Sequence, residues 1–583
     1  MELTLVAVLG VISIVAVAAF SERLGLAAPL SLVVVGIGLS FLPGVPHPEV
    51  EPELILAGVL PPLLYSAAVN MPVVDFRRNI RPITGLAVLL VVVSTLGAGW
   101  LFHWLLPEIG WPAAFALGAV ISPTDAVAAT SVGRRLGLPH RLLTVLEGEG
   151  LVNDASALVL LRSAVAAIAG SVSLWGIVGE FFYAVAVAVG IGLLVGVVNV
   201  RVRALLNDAV LNAAISFVVP FLAFLPAEEF DASGVLAVVV AGLVTGHLSP
   251  RRLRAQDRIT EATNWRTVAF LLESGMFLLM GLGVKALVDE VHDDGMGIGH
   301  ALLIGLAASA LVIVVRIVFV APLVAGLRRE QQRAAESKPR LESMQAALQG
   351  DESDPAMEER LRNVPERKVQ RFRLRVDKAS ADVEFRLNET LGWRGGAVLA
   401  WAGMRGAITV AAAQTLPQDT PDRAQLVLIA YVVATTTLLA QGLTLPAVIR
   451  WVRVPKEDPS RLREEYVRLV TELSTTANSV LDDPALTDRD GAKFTERVMD
   501  QVRTDARTRV PGQSGAAAPT PEQLGGREQY LRLRLRVLTE QSEHLQQART
   551  KGAYSSAALN HAQTVLDVDM ARLQQLADAA ADD

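Results

Sequence analysis

The 583-residue chain contains no cysteine, which excludes disulfides and thiolate metal sites and leaves the redox compartment open. Its 8 histidines never fall in a His-Glu-x-x-His pattern, so the two zinc ligands that such a pattern places one helical turn apart are missing. His103, His247 and His300 instead lie near the ends of apolar runs, where an interfacial position is expected. A Gly-x-Gly-Asp segment, the usual signature of an intramembrane aspartyl protease, is also absent. The net charge of −6 points to no partner, and nucleic acid is not expected. The opening Met1-Glu2 lacks the basic segment of a signal peptide, so the first apolar run is expected to be retained.

What the chain has is apolar sequence. Hydrophobic residues make up 52% and mean hydropathy is +0.41. Charged residues cluster at 328–392 and 453–583. Crossing about 30 Å of hydrocarbon takes about 20 helical residues. Thirteen runs approach that length, centred in 3–20, 27–43, 53–71, 83–105, 113–134, 142–166, 174–199, 209–226, 233–248, 265–288, 300–325, 393–415 and 424–450. Lys- and Arg-rich short loops stay in the cytoplasm. Arg77, Arg78 and Arg81 follow the third run, Arg134, Arg135 and Arg141 the fifth, Arg201 and Arg203 the seventh, and Arg251, Arg252, Arg254 and Arg258 the ninth. The alternate loops carry Glu228-Glu229, Asp289-Glu290 and Asp419. This alternation predicts an outside N-terminus and a cytoplasmic C-terminal tail. The odd count allows two six-helix repeats of opposite orientation flanking the seventh run, an arrangement frequent in secondary transporters. The expected fold is therefore an all-α polytopic membrane protein with about thirteen spans and a helical cytoplasmic tail. Its membrane domain is expected over 1–453, with a cytoplasmic insert at 328–392, and the tail over 454–583.

Two of the runs are interrupted at equivalent places in the repeats. Ser122-Pro123-Thr124-Asp125 breaks the fifth and Gly403-Met404-Arg405-Gly406 the twelfth. Pro123 removes a backbone donor and clashes with the preceding turn. Freed backbone groups in hydrocarbon need new partners. Ionisable groups there are costly and usually functional. At about 1.5 Å per residue, Asp125, Asp154 and Arg405 fall in one plane near mid-membrane. Glu149 lies about 7 Å nearer the cytoplasm, at the depth of Arg316. Glu149 and Asn153 share a helix face, whereas Asp154 is turned from Glu149 by about 140°. Glu149 is thus expected to pair with Arg316 and Asp154 to face a cavity. An unpaired buried charge would be strongly destabilising, and a carboxyl buried without a basic partner favours its protonated form. Carboxylate, hydroxyl and carbonyl oxygens suit hard cations. A monovalent cation exchanged against a proton at Asp154 is the simplest scheme.

At these residues the chain resembles the monovalent cation/proton antiporters of the first cation/proton antiporter family, which includes bacterial sodium/proton exchangers. The segments that carry the resemblance are Leu60-Pro61-Pro62, Asp75 to Asn79, Ser122 to Val127, Glu147 to Asp154, Ser233 to Ala237, Glu273 with Phe277 and Gly281, Gly403 to Ala407, and Gln441 to Thr444. The resemblance implies that Asp154 binds cation or proton beside Asn153, with Thr124 and Asp125 assisting, and that Glu149 and Arg316 form an ion pair. It implies a homodimer in which the fourth to sixth and eleventh to thirteenth runs slide like an elevator. It also implies electroneutral exchange, because Asn precedes the binding aspartate. No cofactor is implied; sodium, lithium or potassium and the proton are the substrates. Glu273 and Glu147 are candidate cavity residues, Glu147 being read as a funnel side chain. Ser122, Pro123, Arg405 and Gly406 support the interruptions. Some relatives place a serine where this chain has Gly150 and an acid within Leu63 to Ala67, so fewer oxygens surround the ion and selectivity stays open. Beyond 453, charged helix-prone segments at 459–482, 490–508 and 527–580 flank a linker at 510–525. A helical bundle or coiled coil is expected there.

Overall fold

A computed structural model describes residues 2–43, 45, 51–169, 174–293, 297–349, 365–389, 391–456, 458–488, 491, 493–507 and 526–582. Among them every regular element is a helix. The membrane part opens with α1 (Glu2–Leu24), α2 (Ala28–Ser40) and α3 (Leu60–Asn70), followed by α4 (Val73–Arg78), α5 (Ile80–Thr84) and α6 (Leu90–Leu105). Two wide π turns, Leu54–Val59 and Gly85–Leu89, sit beside prolines. Pro61 and Pro62 cannot donate to the carbonyls one turn back, and the Leu60 amide reaches back five residues to Ile55 instead.

α7 (Gly110–Ile121) and α8 (Ala126–Leu136) are the halves of the fifth apolar run, and α9 (His140–Ala169) carries the Glu149 to Asp154 segment. Next come α10 (Leu174–Arg203), α11 (Ala209–Glu229), α12 (Gly234–Arg252), α13 (Ala255–Leu282), α14 (Val284–Asp293) and α15 (Ile298–Gln349). The twelfth run is again two halves, α17 (Trp393–Trp401) and α18 (Ala407–Gln414), reached through α16 (Glu366–Asn388); α19 (Arg423–Val452) closes the membrane part. By length and composition, nine helices among the described residues could cross a membrane, and Val8–Ser21, Ala28–Ser40 and Leu54–Asn70 are shorter apolar helices.

In the membrane part, the described buried side chains form two apolar clusters. One draws on α2, α6 to α9, α13, α15 and α17 to α19. The other gathers α3, α10, α11 and α12 around Tyr65 and Trp265. Leu158 and Ile408 pack against both, so α9 and α18 lie along the seam. Arg203 differs from its expected place in a cytoplasmic loop. It is 0% exposed and grips Glu261 of α13 with two bonds of 2.8 Å. Its Nε donates to Asn212 at 2.6 Å. Burial of the guanidinium is tolerated because every nitrogen meets an acceptor.

The expected insert divides differently from its composition. α15 runs 52 residues, about 78 Å at the standard rise, so it extends the eleventh run far beyond a bilayer. α16 returns alongside it, with Ser380 donating to Gln345 at 3.1 Å. Beyond the membrane part lie α20 (Pro459–Leu481), α21 (Glu496–Arg507), α22 (Arg527–Lys551) and α23 (Ser556–Asp582). The segment read as one stretch over 527–580 is two helices, because Gly552 adopts φ +73° and ends α22. The expected linker at 510–525 lies outside the described residues.

A close helix crossing joins α2 to α13. A Cβ on Gly281 would stand 2.6 Å from the Val33 carbonyl oxygen and 2.7 Å from the Gly36 Cα. Gly275, on the same helix, has nothing within 4 Å of such an atom. Gly281→Ala should therefore lower the thermal midpoint of the detergent-solubilised protein, by an overpacking cost of about 1–3 kcal/mol. Gly275→Ala should be neutral or stabilising by up to about 1 kcal/mol. Equal melting of the two variants would contradict this packing.

Candidate functional site

The two chain breaks meet face to face. Residues 122–125 and 402–406 leave helical geometry between their half-helices. The Asp125 amide donates to the Met404 carbonyl at 2.7 Å, stitching one break to the other. Asp125 caps α8, its Oδ1 accepting from the Val127 amide at 2.8 Å. Its carboxylate also lies so close to Gly406, the residue before α18, that a Cβ there would collide with it. One acid thus stands at the positive ends of two helices. Arg405 does the converse for the carbonyl ends. Its Nε donates to Ile121 O at the end of α7 at 3.0 Å, its Nη1 donates to Gly403 O, and its amide donates to Thr437 Oγ1 at 3.2 Å. Ser122 accepts from Thr95 at 3.2 Å and donates to Ala119 O at 2.9 Å. Pro123 lines the cavity described below.

Beside the crossing a second network holds α9. Arg316 is 1% exposed and Glu149 2%. Arg316 Nη2 donates to Glu149 Oε2 at 2.8 Å and Nη1 to Oε1, while Nε donates to Leu399 O at 2.9 Å. Thr124 Oγ1 donates to Glu149 Oε1 at 2.7 Å. Asn153, one turn on, donates to Thr124 O at 2.7 Å and to Thr124 Oγ1 at 3.1 Å. Thr124 is therefore fastened to α9 from both sides.

Asp154 takes no part in this network. It is 6% exposed, and among the described residues no side chain hydrogen-bonds or ion-pairs with it. Arg405, at the same depth along the chain, is engaged by carbonyls. Asp154 lines a cavity of about 440 Å³ together with Thr124, Asp125, Ser66, Thr409 and Glu273. Glu273 reaches it from α13 and is half-buried. Glu147 and Arg134, joined as an ion pair with Arg134 65% exposed, stand where the cavity reaches the surface. The polar lining beside Asp154 includes the hydroxyl and carboxylate oxygens of Ser66, Thr124, Asp125, Thr409 and Glu273, donors that suit a hard cation. Among the described residues no three His, Asp or Glu side chains converge to hold a metal ion.

Residues 10–451 match the family model described as sodium/hydrogen exchanger, transmembrane. The chain belongs to the sodium/hydrogen exchanger family. An uncharacterized Na(+)/H(+) exchanger of Mycobacterium tuberculosis is 28% identical over 98% of this chain and 98% of its own. A low-affinity Na(+)/H(+) antiporter of Synechocystis is 29% identical over 76% of this chain and 72% of its own. A sodium, potassium, lithium and rubidium/H(+) antiporter of Bacillus pumilus is 33% identical over 49% of this chain and 44% of its own. The fold resembles that of the sodium proton antiporter of Methanocaldococcus jannaschii, with a TM-score of 0.54 at 15% identity over 78% of this chain and 99% of that one. The exchanger is thus a helical, multi-pass membrane protein, and the sodium/proton antiporter identity holds for its membrane part.

Sequence reading missed Thr437, which receives the Arg405 amide and is 0% exposed. Three successive threonines, Thr435 to Thr437, in an otherwise apolar run were the available signal. The carbonyls of Met404, Ile121 and Leu399 carry no signal, since any residue supplies one. Removing one partner of the Glu149–Arg316 pair strands the other, at a cost of about 3–5 kcal/mol. Glu149→Gln and Arg316→Met should each lower the yield of folded exchanger in membranes more than the two changes combined. Similar yields for single and double variants would refute that coupling.

Proposed function

We propose that this exchanger moves a monovalent cation, sodium and also lithium or potassium, against a proton, with Asp154 as the carboxylate that binds one or the other. The observation that carries the reading is the contrast within α9. Glu149 is held by Arg316 and Thr124, whereas Asp154, five residues on, faces the cavity with no partner among the described residues. A buried carboxyl without a fixed counter-charge takes up either a proton or a cation. Asn153 and Thr124 position the breaks around it, and Asp125 adds a second carboxylate to the same cavity. Glu273 and Glu147 belong to the access path. Arg405 and Gly406, with Ser122 and Pro123, maintain the interruptions. The relatives, described as antiporters of sodium alone or of four alkali cations, support a monovalent substrate.

The remaining assignments are of the same kind. Thirteen membrane crossings in two inverted six-helix repeats, over 1–453, are supported by the nine long helices, the three short ones and the broken pair α17 and α18. The insert at 328–392 and the tail at 454–583 would be cytoplasmic, with the N-terminus outside, by the arginine-rich loops. Placement in the plasma membrane, homodimerisation, elevator-type alternating access and electroneutral one-for-one exchange follow from the family resemblance. The role would be pH and sodium homeostasis. Transport of this kind breaks no covalent bond in the substrate, so no enzymatic step or cofactor is invoked.

In everted vesicles or proteoliposomes, sodium, lithium or potassium pulses should dissipate an imposed pH gradient, and Asp154→Asn should abolish the response. Exchange at the normal rate without that carboxylate would overturn the proposal. Because proton and cation compete for Asp154, apparent cation affinity should weaken as pH falls, by up to about tenfold per pH unit once the group is largely protonated. An affinity independent of pH in equilibrium binding would exclude the competition.

A further inference from the structure

Along α9 the Asp154 cavity is lined by Glu147, Gly150, Leu151 and Asp154 and by no residue beyond Asp154, with the exposed Glu147–Arg134 pair at its mouth. The opposite end of α9 is closed by a built contact. Residues 154, 158 and 162 share one face of α9, and Arg162 lies about 12 Å beyond Asp154. Its Nη2 donates to Glu228 Oε2 at the end of α11, and its Nη1 donates to Ala232 O at 3.4 Å. Glu228 is held on its other oxygen, since Oε1 accepts from the Gly234 amide at the start of α12 at 2.8 Å. A Cβ on Gly234 would stand 2.7 Å from that same Oε1, so glycine is what lets the carboxylate seat there. Between Asp154 and this pair stands Leu158, packed against both apolar clusters.

We infer that Arg162 and Glu228 form a latch that joins α9 to the α11–α12 turn and holds shut the face of the exchanger opposite the cavity mouth. The inference rests on the antiporter reading in one respect: alternating access requires that Asp154 be reached from this face as well. α9 carries both the binding carboxylate and the arginine. Exposure of Asp154 to that face therefore separates α9 from the α11–α12 turn, and the ion pair must part. The pair is half-exposed, with side-chain exposures of 53% and 25%. It is accordingly weak enough to break in each cycle.

The absence of cysteine makes one introduced thiol an unambiguous reporter. Leu158→Cys places it behind the latch, and a membrane-impermeant maleimide is added to liposomes from the face opposite the cavity mouth. Arg162→Gln and Glu228→Gln should each raise the labelling rate two- to five-fold, equivalent to about 0.4–1 kcal/mol. The charge exchange Arg162→Glu with Glu228→Arg should return it toward the starting rate. Unchanged labelling in both neutralised variants, with unaltered melting, would overturn the latch. A rise that the charge exchange does not reverse would assign the effect to the lost cap of α12 and overturn it equally. Sodium-driven proton flux in the same liposomes separates the two readings. Absent flux in the unsubstituted chain sinks the antiporter, whereas the labelling judges the latch alone.

Discussion

Hydrocarbon offers no solvent to an unpaired peptide group, and that constraint governs the centre of this exchanger. Two apolar helical runs are interrupted, and each interruption releases amides and carbonyls that must find partners. The structure satisfies them mutually. The Asp125 amide takes the Met404 carbonyl, Arg405 takes Ile121 O and Gly403 O, and Thr437 receives the Arg405 amide. Asp125 and Arg405 then do for the helix dipoles what opposite charges do for one another, one at the amide ends and the other at the carbonyl ends. Removing either group would leave two half-helix ends uncompensated at once.

That arrangement determines which charges are committed to the fold. Glu149 is committed to Arg316 and Thr124, and Asn153 to Thr124. These contacts pin α9 to the crossing and orient its next face toward the cavity. Asp154 is left at the seam between two apolar clusters, where α9 and α18 meet α3 and α13. A seam is where two packed bodies can move relative to each other with least repacking, because interiors are close-packed and resist continuous deformation. An ionisable group placed there can change its surroundings without unmaking the core.

The helices beyond the membrane part are joined to it by directed contacts. Arg258 of α13 grips Asp567 of α23, with Nε to Oδ2 at 3.0 Å, and Arg251 donates to Thr550 at 2.8 Å. Arg78 donates to Gly552 O at 3.0 Å and to Asp382 of α16 at 2.7 Å, while the Phe385 ring lies 4.8 Å beneath its guanidinium. Arginines whose charge pattern predicted the cytoplasmic side thus also serve as docking points, since a planar guanidinium can meet a carboxylate and a ring together. Arg203 carries this further. Its charge reads as a loop signal, yet it is wholly buried on Glu261.

Legibility differed from residue to residue. Pro123 announced the first break, the glycines around Arg405 the second, and the count from Glu149 to Asp154 separated their directions. The crossing partner of Asp125 is a main-chain carbonyl, which composition cannot mark. The division of 527–580 at Gly552 was hidden because one glycine in a charged helical stretch is also tolerated within a helix. By itself the sequence determined depth along each helix and phase around it, because rise and rotation per residue are properties of the α-helix whatever surrounds it. Only the tertiary structure decided that Arg405 is spent on carbonyls, that Arg203 is buried, and that Asp154 is left without a partner among the described residues. Those are choices among lateral neighbours, and lateral neighbours follow from how helices distant in the chain pack together.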